Sequence, residues 1–148
     1  MMQLILDYER MSEQKHSFSL RVSFGDCDPA GIAYYPNILG WLDRAFHDWL
    51  WEFGGHDALC ERVGALGIGL MDVSARFLKP LRNGDRLIVE MSVEEWGEKA
   101  LRLAYELRSG ESLMARGCET RGLFAQGAAG MMAARLDPLR RILEGHEK

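Results

Sequence analysis

Cysteine is scarce in this 148-residue chain: Cys27, Cys60 and Cys118 are the only three, and no two stand at CxxC spacing. An odd count without metal-ligand spacing argues against a disulfide framework and against a zinc site, and it fits a reducing compartment. Long apolar runs are missing as well. The N-terminal stretch MMQLILDYERMSEQKHS has only a short apolar segment around Leu4 to Leu6 before charges appear. That is neither a signal-peptide core nor a membrane-spanning run, so a cytoplasmic protein without a membrane partner is expected. Charge of one sign is not in excess either. Lys and Arg number 18 against 22 Asp and Glu, a net charge of −4 that gives no nucleic-acid footprint, although local bases can still hold a small anion. No GxSxG occurs, and His47, His56 and His146 follow no motif, so no Ser-His-Asp set is visible. Internal repeats and long linkers are also absent.

What is present suits one soluble domain, with 47% hydrophobic and 27% charged residues. Residues 1–16 read as a leader, either a short amphipathic helix or a disordered segment, and residues 17–148 as a single domain. From Ser17 to Phe24, apolar Phe18, Leu20, Val22 and Phe24 alternate with Ser19, Arg21 and Ser23, the period of a half-buried strand. Pro36 then opens a helical pattern, where its missing N–H costs nothing. Ile38, Leu42, Ala45, Phe46, Trp49 and Phe53 recur at spacings of three and four, and Gly54-Gly55 is a stop. A shorter helix is expected over Asp57 to Val63.

Strands follow. Leu66 to Leu78, Leu87 to Glu94, Leu101 to Arg108 and Ser112 to Phe124 are separated by turns at Asn83-Gly84, Gly97-Glu98 and Ser109-Gly110. Turns this short require antiparallel pairing. Residues 125–134, rich in Ala, Gly and Met, give no clear pattern, and Leu136 to Leu143 suits a short C-terminal helix. The expected fold is α+β: an antiparallel five-stranded sheet with one long central helix.

At the first strand-to-helix junction stands FGDCDPAGIAYYPN, residues 24–37. Asp26 and Asp28 can both be turn residues, since Asp-Pro and a nearby Gly are ordinary turn vocabulary. A strand-end DxD of the haloacid-dehalogenase type would need a parallel doubly wound sheet, which the hairpins oppose. In a third reading, one aspartate faces the helix N-terminus, where free N–H groups and the helix dipole suit a carbonyl oxygen that becomes negative. A carboxylate held opposite can attack an activated carbonyl or deprotonate water. A thioester fits such a site, because its carbonyl is electrophilic and its thiolate leaves easily.

This string, followed by Trp41-Leu42-Asp43, closely resembles the 4-hydroxybenzoyl-CoA thioesterase family of hotdog-fold proteins over about Ser17 to Phe124. The resemblance implies a sheet wrapped around the long helix, and Asp28, the acid before Pro29-Ala30-Gly31, as the catalytic carboxylate. It implies that the Tyr35 N–H polarises the thioester carbonyl and that Asp43 lies near the aryl end of the acyl pocket, with Gly31 also at the substrate. Glu95-Trp96-Gly97-Glu98-Lys99 resembles the family's CoA-phosphate turn, but Gly97 and Glu98 stand where two bases are usual. Lys99 is retained, and Arg102, Lys79 and Arg82 are candidates to compensate. Asp26 is expected to serve the turn and Cys27 to be a packed small residue. The resemblance further implies hydrolysis of an aromatic acyl-CoA by Asp28 as nucleophile or general base, no metal or redox cofactor, and a homo-oligomer, dimer or tetramer, with sites between subunits. A short-chain aliphatic acyl-CoA thioesterase, mildly opposed by Tyr35 where that branch has histidine, and a non-catalytic acyl-CoA-binding module are the alternatives.

Overall fold

The computed structural model describes residues 1–4 and 14–146. The strands are β1 (Lys15–Arg21), β2 (Gly67–Phe77), β3 (Arg86–Trp96), β4 (Leu101–Ser109), β5 (Ser112–Gly127) and β6 (Gly130–Ala134). The helices are α1 (Tyr35–Leu50), α2 (His56–Val63) and α3 (Asp137–Leu143), with 3-10 turns at Phe24–Asp26 and Trp51–Phe53. All pairings are antiparallel, and the sheet runs β1-β3-β4-β5-β2 with β6 added beside β5.

The sheet curls around α1, whose buried residues Ile38, Trp41, Leu42, Ala45, Phe46, Trp49 and Leu50 fill its concave face. They meet the inward set of β3 (Leu87, Val89, Met91, Val93) and of β4 (Leu101, Leu103, Tyr105, Leu107), all buried. This period-two burial is what the sequence alternation calls for on a sheet with one covered face. At Gly117 of β5 the helix comes close: a Cβ there would stand 2.6 Å from Leu42 Cδ1. Gly54, at φ +97, ends the helical region in a left-handed conformation that suits glycine. Trp41 and Trp49 are buried, whereas Trp51, just past the end of α1, is exposed.

Several boundaries differ from expectation. The sheet has six strands rather than five, because residues 130–134 pair with 123–127. Met131 and Met132 are exposed there, so β6 has no buried alternation to announce it. The first strand begins at Lys15, two residues inside the expected leader, and ends at Arg21 rather than Phe24. Phe24 is exposed in the 3-10 turn, so the apolar alternation outruns the strand. The helix or disorder expected for the leader falls mainly on residues 5–13, outside the described residues. Among the described residues, no helix is long and apolar enough to cross a membrane, and no group of three or more His, Cys, Asp or Glu is placed to hold a metal.

Candidate active site

The acidic turn is built from backbone hydrogen bonds. Asp26 Oδ2 accepts the Ser23 N–H at 2.8 Å, closing the 3-10 turn, while Asp26 O accepts the Tyr34 N–H at 2.8 Å and the Asn37 amide at 2.9 Å. Both sides of Asp26 are thus committed to fixing the entry into α1. Cys27 pairs with Ala33 in an isolated bridge, and its half-buried thiol donates to Ser23 O.

Asp28 is held differently. Its Oδ1 accepts the Ala30 N–H at 2.9 Å, its N–H donates to Ile32 O, and its carbonyl accepts the Gly31 N–H, both at 2.9 Å. This tight turn needs Gly31 at φ +81, where a side chain is strained. Among the described residues Asp28 Oδ2 has no partner. Asp28 borders a cleft of about 180 Å³ lined also by Tyr35 and Ile38 of α1, by Phe77, Lys79 and Leu81, and by Met114 and Ala115 of β5. The Ala33 N–H, bonded to Leu81 O at 2.7 Å, ties the two walls together.

Tyr35 is the first residue of α1 and Pro36 follows it. The N–H groups of a first turn have no acceptor inside the helix, and the dipole makes that end favourable to negative charge. The chain therefore brings a carboxylate, a helix N-terminus and an apolar cleft to one place. Such a set can take a carbonyl whose oxygen points to the Tyr35 N–H and whose carbon faces Asp28.

The other expected site residues lie elsewhere. Asp43 is eight residues along α1 from Tyr35, about 12 Å by helical rise, and does not line the Asp28 cleft of its own chain. Its Oδ1 accepts from Arg121 at 2.7 Å, and His47 stands 3.5 Å away. Arg121 is 2% exposed and Glu119 1%. Arg121 donates from Nε and Nη2 to the two Glu119 oxygens at 3.1 and 3.0 Å, and the Tyr105 phenol donates to Glu119. The guanidinium also lies 4.1 Å from the centre of the Phe46 ring. Burial alone would depress the Arg121 pKa, but the bonds to Glu119 and Asp43 hold it above its ordinary value. Burial and the Glu119 charge push the Tyr105 phenol up, and burial lowers His47 despite Asp43 beside it. The sequence reading missed Tyr105, Glu119 and Arg121 as a unit. The available signal was parity: Ala115, Gly117, Glu119, Arg121 and Leu123 share the inward face of β5.

Lys99 is exposed in the 97–100 turn, and Arg102 lies 3.8 and 3.9 Å from Glu94 and Glu95. Glu98 pairs with Arg135 at 2.8 Å. Arg102 is paired across to Thr120, five residues and about 17 Å along β5 from Ala115 in the cleft. A second cluster, Cys60 with His56 and Asp57, resembles a nucleophile set. However, His56 Nε2 already accepts the Ile68 N–H at 3.0 Å, so it is not free to take a proton from Cys60.

The family model of the thioesterase-like superfamily matches residues 22–138. The chain is 35% identical over 83 residues to the 4-hydroxybenzoyl-CoA thioesterase of Pseudomonas sp. (strain CBS-3), covering 54% of this chain and 58% of that one. It is 33% identical over 86 residues to the 1,4-dihydroxy-2-naphthoyl-CoA hydrolase of Thermosynechococcus vestitus, covering 58% and 59%. The chain thus spans under two thirds of the length of these curated relatives. In three dimensions it superposes on the 4-hydroxybenzoyl-CoA thioesterase from Pseudomonas sp. strain CBS-3 with TM-score 0.77 at 26% identity, over 88% of this chain and 99% of that one. It superposes on a 1,4-dihydroxy-2-naphthoyl-CoA thioesterase from Synechocystis with TM-score 0.75 at 24% identity, over 87% and 95%. The curled antiparallel sheet around one long helix is the hotdog fold of these neighbours.

Proposed function

The chain belongs to the thioesterase-like superfamily, and from that premise we propose that it hydrolyses an aromatic acyl-CoA thioester to the free acid and CoA. The observation that carries this is the apolar cleft shared by Asp28 and Tyr35 at the start of α1. The acyl carbonyl enters with its oxygen on the Tyr35 N–H, where the helix terminus stabilises the oxyanion. Asp28 then adds to the carbonyl carbon and expels the CoA thiolate, leaving a mixed anhydride that water cleaves, or it takes a proton from a water that adds instead. In either route the thiolate recovers a proton and the acyl group leaves as a carboxylate.

The cleft volume of about 180 Å³ suits one ring, since an apolar cavity of about 150 Å³ accepts benzene. The relative named a 4-hydroxybenzoyl-CoA thioesterase takes a one-ring ester, in keeping with this volume. Asp43, about 12 Å along α1 from Tyr35 and outside the cleft that Asp28 lines in its own chain, reaches an acyl group there only if a second copy completes the site, so the active form is a homo-oligomer. The test is a panel of benzoyl-, hydroxybenzoyl-, acetyl- and butyryl-CoA, assayed by thiol release with wild type and Asp43→Ala. Preferred turnover of the aromatic esters, with Asp43→Ala changing the hydroxybenzoyl-to-benzoyl ratio, is expected. Preference for the aliphatic esters overturns the aromatic assignment, and binding of all four without turnover overturns hydrolysis.

A further inference from the structure

Asp43 is held more firmly than its exposure requires. Its side chain is 48% exposed, whereas that of its partner Arg121 is 2% exposed. Ion pairs between two exposed side chains are worth little, because both partners swing. Arg121 does not swing: Nε and Nη2 fork onto the two Glu119 oxygens, and the guanidinium lies over the Phe46 ring. Glu119 by itself compensates the buried charge. The further bond, from Nη2 to Asp43 Oδ1 at 2.7 Å, is surplus to that need, and its effect is to fix a half-exposed carboxylate.

The groups around Asp43 leave its second oxygen open. Arg121 and Glu119 come from β5, and Tyr105 of β4 stands behind them as a donor to Glu119. His47, one turn along α1, lies 3.5 Å from the same Oδ1, and burial keeps its ring toward the neutral form. His56 of α2 faces the His47 ring and spends its Nε2 on the Ile68 N–H. Asp43 Oδ2 has no hydrogen-bond partner among the described residues. Leu70, paired with Arg121 across β2 and β5, presents apolar surface on the same face and is 47% exposed. A directed acceptor beside exposed apolar surface suits a ring that carries a hydroxyl.

We propose that Arg121 is a positioning residue: clamped by Glu119, it aims Asp43 Oδ2 as a fixed acceptor for a hydroxyl on the acyl ring, so that the site selects a neutral phenol over both a bare ring and a phenolate. This rests on the acyl-CoA assignment above, with Asp43 reaching the acyl group from a second copy. A mobile carboxylate loses rotamer freedom on each contact, whereas one already fixed accepts the phenol without that cost. A phenolate has no proton to donate and meets Asp43 as a like charge.

The experiment follows the ratio of kcat/KM for 4-hydroxybenzoyl-CoA to that for benzoyl-CoA across neutral to alkaline pH, so that titration of the common chemistry cancels. In wild type the ratio falls as the phenol ionises, below the ordinary phenol value of about 10 because the para carbonyl acidifies it. Arg121→Lys keeps a charge for Glu119, but an ammonium lacks the planar fork that bonds Glu119 and Asp43 together. Its ratio at neutral pH is expected to fall about tenfold, the size of one lost charged hydrogen bond, with a flatter pH profile. Asp43→Glu, at a half-exposed position, keeps the charge and displaces the carboxylate by one methylene; the same fall is expected, and it decides the matter if Arg121→Lys does not fold. Tyr105→Phe weakens the network but leaves the Arg121–Asp43 bond, so its ratio holds. An unchanged ratio in Arg121→Lys or Asp43→Glu, or an equal fall in Tyr105→Phe, overturns the proposal. If Asp43→Ala changes the ratio and these two variants do not, the hydroxyl contact stands and the positioning falls. If no ester is turned over, the hydrolase assignment falls, and calorimetric affinities for the two esters give the same ratio; its loss in Arg121→Lys supports the positioning.

Discussion

The carboxylate of Asp28 has one backbone N–H on Oδ1 and no partner on Oδ2 among the described residues, and the residue lines an open cleft, whereas the carboxylate of Glu119 is buried and carries a phenol and a two-pronged guanidinium. Both lie close to α1, yet the fold uses them in opposite ways. Asp28 is positioned by main-chain turns, which fix it without consuming its second oxygen. Glu119 is fixed by side chains that consume both. A carboxylate that must react needs the first arrangement, and one that must hold a sheet against a helix needs the second. The second is vulnerable to single substitutions, because a buried ion is stable only while every partner remains.

Arg121 is where the contrast is most exposed to experiment. Arg121→Met leaves Glu119 buried without its cation, and a loss of about 3–5 kcal/mol is expected. In a chain of this size, that is a fall in Tm of roughly 10–15 °C in a calorimetric scan. A fall under about 3 °C would mean that the network holds little. Tyr105→Phe removes one donor and keeps the guanidinium, so about 2 kcal/mol and a correspondingly smaller shift are expected in the same scan. Gly117→Ala tests the packing beneath, since the added methyl meets Leu42; about 1–2 kcal/mol is expected from urea melts, with an unchanged m-value.

How far the sequence carries depends on which force places each element. β3, β4 and α1 were legible because burial on one face writes itself into the sequence as a period of two or of three to four. β6 was not, because a strand of Gly, Met and Ala with exposed methionines leaves no such trace. Asp28 and Tyr35 were named from one local motif, and the structure lines one cleft with both. Nothing local linked Tyr105, Glu119 and Arg121 with Asp43, which meet only when β4, β5 and α1 pack.

A smaller effect probes the rim of the network. Burial lowers the His47 pKa, with Asp43 opposing and Arg121 and His56 assisting, so the folded state resists protonation there. The unfolded chain takes up the proton from about pH 6.5 downward, so this contribution is complete above that pH and is lost as pH falls through the lower, folded value. His47→Gln should therefore lose less stability than wild type between about pH 7.5 and 5.5. The difference is a fraction of a kcal/mol, because the ring is partly exposed and screened. Parallel curves for the two proteins would remove His47 from this role.

If the contrast between the two carboxylates is right, Asp28 does the chemistry and the buried network does not. The decisive quantity is kcat/KM for the best aromatic CoA ester with Asp28→Asn, on protein whose Tm matches wild type. A loss of about a hundredfold or more is expected, the range for removing a positioned base or nucleophile. Hydrolysis at the wild-type rate by that folded variant would contradict it.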